Sequence, residues 1–310
     1  MCEWCYPANL ECVVDVAELC GGAARTSQLF IRRYHRSGAR AGLNIDFVCG
    51  IDLMDETERQ WAWSYFQCCK PFVVIISTPC TGMAGWKHIN RKINYATYSE
   101  NRRVSESLAD FGAEVALLQL KEERHFFDEH PENSDKFDRP SWKRVLASKK
   151  VRQSTFHQCQ LGLVGSKTGL PVKKATVVTA SDASLVSPFD KLCCVGRNKC
   201  IEHERVEGGN SRQTAVWPWS MASLVADNVA GLLMRTMKQI RSYHFSERAY
   251  QLSTLDSPSD QFAVSSVPQR SRMKSFTEMV VVLSEDATDK ASAEARNMLI
   301  EEEDPFLDPP

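Results

Sequence analysis

Apolar residues along this chain fall into two alternating rhythms. Short β-branched runs, "ECVVDVAEL" (11–19), "IDFVCGIDL" (45–53) and "PFVVIIS" (71–77), read as buried strands. Between them, "RTSQLFIRRYHRSG" (25–38) places Leu29, Phe30 and Tyr34 at helical spacing, with Gly38 as a stop. "DETERQWAWSYFQCC" (55–69) opens with acids, which favour a helix N-terminus. "SESLADFGAEVALLQLKEE" (105–123) carries the clearest amphipathic period and leads into a strand at 124–131. Strands at 151–161 and 175–181 and a helix at 220–240 complete the series. This alternation predicts a three-layer α/β domain over residues 11–244 around a mostly parallel sheet. Residues 1–10 read as a leader. Residues 245–310, polar, Ser/Pro-rich and finally acidic, read as a disordered linker or tail with one short strand at 278–284.

Composition narrows the picture. Of 310 residues 43% are hydrophobic and 25% charged, which is globular, and the net charge of −1 excludes a global basic field. Any polyanion site must therefore be a local patch. No apolar run reaches the roughly 18 residues of a membrane span, and "MCEWCYPANLEC" lacks the basic head and apolar stretch of a signal peptide. The expectation is a soluble intracellular protein, nuclear or cytoplasmic, with no membrane partner. Twelve cysteines without regular spacing read as reduced thiols. Neither Cys2, Cys5 and Cys12 nor Cys193, Cys194, Cys200 and His203 shows two clean paired-ligand spacings, so no metal is assigned.

The ends of the strands carry the chemistry. The first ends Glu18-Leu19-Cys20-Gly21-Gly22-Ala23-Ala24, small residues that let a ligand approach the backbone and a helix N-terminus. The turn lacks the G-x-G-x-x-G of dinucleotide sites and the lysine of a phosphate loop. It suits a cofactor with an amino-acid head and an adenosine, the ammonium meeting a carboxylate, or it is a plain tight turn. Asp46 and Asp52 end the second strand region, where an acid holds ribose hydroxyls or an adenine amino group, or caps a helix. In "VVIISTPCTGMAGW" (73–86), Pro79 stops the ladder and holds Cys80 on the sheet's carboxyl edge, where ligands bind in open α/β folds. Glu129 of "HFFDEHPEN" falls on the same edge, one strand over in a doubly wound order, unless it belongs to a polar loop. The stretch "KHINRKINYATYSENRR" (87–103) sets Lys87, Arg91, Lys92, Arg102 and Arg103 against one acid, with Tyr95 and Tyr98 interleaved. Such groups meet phosphates and stack on bases, or form a solvated face.

In order and placement these segments resemble the cytosine-5 DNA methyltransferases. "ELCGGAAR" looks like the first cofactor motif, "GIDL" like the acidic one, "STPCTGMAGW" like the Pro-Cys motif and "FFDEHPEN" like the strand end bearing the glutamate. The segments "QCQLGLVGSKTGLPVKKATVVTAS" and "HERVEGG" through "VADNVAGLL" are similar to a divergent branch found in mobile-element polyproteins. The resemblance covers roughly residues 12–235. It implies a Rossmann-like class I methyltransferase sheet, S-adenosylmethionine as cofactor, and DNA as partner. Glu18, Leu19, Gly21, Gly22, Asp46, Asp52 and Pro79 would then line the cofactor. Cys80 would attack carbon 6 of a flipped cytosine while Glu129 binds and protonates the ring edge. The chain departs from the pattern in Ala24 for a glycine, His130 for an asparagine, "FHQCQLG" for an Arg-x-Arg strand, and the missing long target-recognition segment.

Two other readings stay open. One is a catalytically inactive relic of the fold, serving a mobile-element protein as a nucleic-acid-binding or interaction module. The other is an unrelated α/β enzyme with a Cys80 nucleophile, which would need His88 or His130 within reach as a base.

Overall fold

The computed structural model describes residues 14–85, 87–196, 200–206 and 214–255, with backbone only at 241 and 244–255. The leader at 1–10 and the strand at 278–284 lie outside the described residues. The strands are β1 (Val16–Leu19), β2 (Ala41–Ile45), β3 (Val73–Ile76), β4 (His125–Pro131), β5 (Arg152–His157) and β6 (Ala175–Ala180). The helices are α1 (Arg25–Tyr34), α2 (Glu56–Cys69), α3 (Lys87–Ile93), α4 (Tyr95–Lys121), α5 (Pro140–Leu146), α6 (Ala183–Val186) and α7 (Trp219–Leu255). The described strands form one six-stranded sheet in the order β2-β1-β3-β4-β6-β5. β2, β1, β3 and β4 pair in parallel, and β6 runs antiparallel to both β4 and β5. β5 therefore points the same way as the parallel four, and β6 alone is reversed: the sheet is mixed but mostly parallel, within a Rossmann-like α/β layout.

Alternation along the central strands builds a layer on each face. Ala17, Leu19, Val74, Ile76 and Phe126 pack with Phe66 of α2, Ala109, Phe111 and Val115 of α4 and Trp142 of α5. Val16, Val73, Ile75 and Phe127 face the other way, onto Phe30 of α1, Leu185 of α6 and Met221, Val225 and Val229 of α7. β1 and β3 are buried throughout, which is why β3 reads as an unbroken apolar run and β1 as one broken only by Glu18. The order in which strands are added reverses between them: β2 follows β1 on one side, and β3 is added on the other. The crevice beyond their carboxyl ends is the switch point at which open α/β sheets bind ligands.

Capping explains where the helices begin. Asp55 accepts from the backbone N–H of Thr57 and Glu58 at the start of α2, and Asn94 accepts from Thr97 at the start of α4. Three expectations are corrected. The strand expected at 45–53 lies upstream, because the Asp46 carboxylate takes the N–H of Val48 and opens a 3₁₀ turn. Phe47 and Val48, apolar in the sequence pattern, are then 75% and 71% exposed. The helix expected from 105 begins at Tyr95, and the last helix continues past residue 244 to Leu255. Residues 250–310 form a separate unit, of which 250–255 are described and helical. Among the described residues no helix is long and apolar enough to cross a membrane.

Candidate functional site

A cavity of about 310 Å³ opens at the switch point, walled by Glu18, Gly21 and Gly22 from the β1 turn, Pro79 and Cys80 from the β3 end, and Glu129 from β4. The β1 turn is wound tightly. Cys20, Gly22 and Ala24 have φ of 56°, 56° and 50°, so two residues with side chains hold a left-handed conformation. Two anchors from the β2 end secure it: Gly21 N donates to Asn44 Oδ1 at 3.2 Å, and Gly22 N donates to Asp46 Oδ2 at 2.9 Å. A Cβ at Gly21 would collide with the Glu18 carboxylate and the Asn44 amide, so only glycine fits there. Glu18 is buried, and its Oε1 accepts from Ser27 N at 2.7 Å in the first turn of α1. Burial pushes its carboxyl pKa up, partly offset by the hydrogen bonds from Ser27.

Past Pro79 the backbone turns back on itself, the Cys80 carbonyl accepting from the N–H of both Met83 and Ala84 at 2.9 Å. Gly82 is required here, since a Cβ would run into the backbone of Arg102 on α4. The turn leaves Cys80 half-buried on the cavity wall. Burial raises its thiol pKa, the Lys174 charge opposes that rise, and the Glu129 charge adds to it. Beneath, Lys136 and Asp128 form a fully buried ion pair, with Lys136 Nζ donating to Thr78 Oγ1 at 3.2 Å and lying 4.2 Å from the Trp142 ring centroid. Burial pushes Asp128 up to about 6 despite that partner.

Glu129 is held by donors that sequence reading missed. Gln158 Nε2 donates to its Oε1 at 3.2 Å, Trp217 Nε1 donates to its Oε2 at 3.1 Å, and Lys174 Nζ stands 3.6 Å from Oε1. Every one of these neighbours is a donor, so the Glu129 oxygens act here as acceptors. Gln158 lies in "FHQCQLG", the segment that offers no arginine. Arg25, at the head of α1, donates to the Trp217 carbonyl and lies 4.5 Å from the Trp219 ring centroid, tying the two walls together.

A second cavity, about 430 Å³, continues from the first past Cys20, Ser77 and Pro79, which line both. Asp46 and Asp52 line it with Phe47, Ile51, Leu53 and Val104. Asp52 Oδ1 accepts from Met54 N at 2.9 Å, so both acids shape their own turns as well as facing the groove. Leu19 lines neither cavity; its side chain belongs to the core and its carbonyl accepts from Ser77 N.

The basic stretch is dispersed. Residues 87–103 form α3 and the start of α4. Lys87 and Arg102 both pair with Asp135, Arg102 also with Glu106, and Arg103 with Glu100. Arg91 and Lys92 lie exposed on α3. His88 is exposed, whereas His130 is fully buried, edge-on to Phe137, with its pKa pushed well down by burial and by the charges of Lys136 and Lys174. Among the described residues no histidine lines the Cys80 cavity.

The thiols also rearrange. Cys193 is exposed, its Sγ directed at the Thr155 carbonyl at 3.6 Å, while Cys159 joins Cys194, Cys200 and His203. No model of a known protein family matches the chain, and no curated protein matches it.

Proposed function

We propose that the domain binds S-adenosylmethionine along the two joined cavities and uses Cys80 to methylate cytosine in DNA. One observation carries this reading: Cys80, Glu129 and the Glu18–Gly22 turn face a single cavity that continues to Asp46 and Asp52. The residues fit the cofactor. Glu18, desolvated on the cavity wall, gains from an ammonium nearby, and the open space beside Gly22 leaves room for the amino-acid moiety. The acids and apolar side chains of the second cavity suit a ribose and an adenine. S-adenosylmethionine, when bound, supplies an electrophilic methyl group.

The chain's own residues do the rest. Cys80 loses its proton to solvent, favoured by the charge of Lys174, and its sulfur adds to carbon 6 of the base. Glu129, fixed by Gln158 and Trp217, accepts from the exocyclic amino group, while ring nitrogen 3 takes a proton from solvent as the sulfur adds and returns it to solvent when the carbon–sulfur bond breaks. After carbon 5 has taken the methyl group and lost its proton to water, the carbon–sulfur bond breaks and Cys80 is restored. Arg91 and Lys92, exposed beside the Cys80 turn, supply phosphate contacts.

DNA containing 5-fluorocytosine tests the reading. With S-adenosylmethionine present, the wild-type chain forms a covalent adduct that resists denaturation, and Cys80→Ser forms none while keeping calorimetric cofactor binding. Trapping by Cys80→Ser removes the nucleophile. Cofactor binding without trapping by the wild type leaves an inactive relic of the fold. Reversing the charges at Arg91 and Lys92 lowers the salt dependence of DNA binding; an unchanged slope makes them a solvated face.

A further inference from the structure

Beyond the cleft, at the end of β5, the structure gathers a second chemical cluster. Cys159, Cys194, Cys200 and His203 each offer one ligand atom, and all these atoms lie within 4.8 Å of one another. We infer that these residues form a structural zinc site. The inference does not rest on the methyltransferase reading.

The argument starts from donor type. Three thiols and an imidazole are the set of closed tetrahedral zinc sites, with four protein ligands and no position left for a substrate. With Zn–S near 2.3 Å and Zn–N near 2.0–2.1 Å, a tetrahedron sets neighbouring ligand atoms about 3.5–3.8 Å apart. Cys194 Sγ and His203 Nε2 are 3.4 Å apart, close to that edge. The three cysteines are buried and pack as a cluster of their own, apart from the two main cores. All three are free thiols, so no disulfide accounts for their convergence.

The surroundings are those of ligands held in place. Gln160 Nε2 donates to Cys200 Sγ at 3.3 Å, as amides do to metal-bound thiolates. His157 Nδ1 accepts from Cys194 N at 2.9 Å, fixing that backbone and leaving the His157 proton on its other nitrogen. Binding releases the thiol protons to solvent as the three sulfurs coordinate. The ion would join the segment after β5 to the part of the chain that carries Cys194 and Cys200. Gln158, immediately before Cys159, donates to both Glu129 and Thr176, so the metal would brace the wall that orients Glu129. Cys200-x-x-His203 is the half-site visible in the sequence; the adjacent Cys193 obscured it, and Cys159 is remote in the chain.

The test uses the full chain, purified without a metal-affinity step and analysed by inductively coupled plasma mass spectrometry. About one zinc per chain is expected, falling several-fold in Cys159→Ala and Cys200→Ala but not in Cys193→Ala. Should the ligand variants fail to fold, the wild type decides alone. Exchange with cobalt(II) should then give the intense visible bands of a tetrahedral site and a thiolate-to-cobalt charge-transfer band. Three results overturn the proposal: folded wild type without stoichiometric zinc after dialysis against it, a weak octahedral cobalt spectrum, or a disulfide among the three cysteines.

Discussion

The two walls of the Cys80 cavity are made differently. On one side the groups come from two short segments, residues 18–24 and 77–80, and backbone shape, pinned by Asn44 and Asp46, holds them: three left-handed residues, a glycine with no room for a Cβ, and a turn closed on the Cys80 carbonyl. On the other side a single carboxylate, Glu129, depends on donors from distant parts of the chain, Gln158 at 29 residues and Trp217 at 88. A wall formed by local backbone is as stable as its strands. A wall formed by long-range side chains can lose its chemistry while the fold survives.

The largest effect should come from beneath the junction of the walls. Lys136→Met leaves the Asp128 carboxylate buried without its partner and should cost about 3–5 kcal/mol in chemical denaturation. A loss below about 1 kcal/mol would mean that Asp128 is neutral in the folded chain, and the parallel half is not tied by this pair.

The same group gives the next effect, through pH. Asp128 sits at about 6 in the folded chain against an ordinary 3.8. A raised folded value means that the folded state holds the proton more tightly. Its contribution is therefore full below about pH 4 and is lost as pH rises through about 6. Wild-type stability relative to Asp128→Asn should fall by about 2–3 kcal/mol between pH 4 and pH 7, measured by urea unfolding across that range. A difference independent of pH would refute the assignment.

Trp217→Phe probes the long-range wall. It keeps the edge-to-face packing on Phe127 and removes one donor to Glu129, at a cost of about 1–2 kcal/mol. On the proposed reading, trapping slows while S-adenosylmethionine affinity holds; equal losses in both would show the two walls to be one unit.

The smallest effect belongs to the local wall. Ala24 holds φ 50° ahead of α1, where glycine carries no steric cost, so Ala24→Gly should stabilise by about 0.5–1 kcal/mol. A destabilised variant would mean that the turn gains more from a restricted unfolded chain than it loses to strain.

Legibility in the sequence followed the same division. The runs at β1 and β3, the acid-capped α2 and the period of α4 could be read because burial on both faces and first-turn capping leave marks within a few residues. The placement of Cys80 after β3, and of Glu129 on the neighbouring strand, follows from those runs. The ion pairs of the basic stretch were hidden for a related reason. Only Glu100 lay inside it, while the acids that pair with Lys87 and Arg102 are Asp135, remote in the chain, and Glu106, just beyond the end. Phe47 and Val48 misled because an apolar pair after a strand reads as more strand, whereas the Asp46 carboxylate redirects the backbone.

By itself, then, the sequence determined the α/β alternation, the buried central strands and the strand ends that carry a glutamate, a glycine turn and a cysteine. Those properties arise from side-chain periodicity and backbone preference, which act over a few residues. Only the tertiary structure decided the antiparallel insertion of β6, the donors around Glu129, the burial of Lys136 against Asp128, and the replacement of Cys193 by Cys159 beside Cys194, Cys200 and His203. These depend on which distant segments meet, and a buried charge, carboxylate or thiol is defined by its partners rather than by its neighbours in the chain.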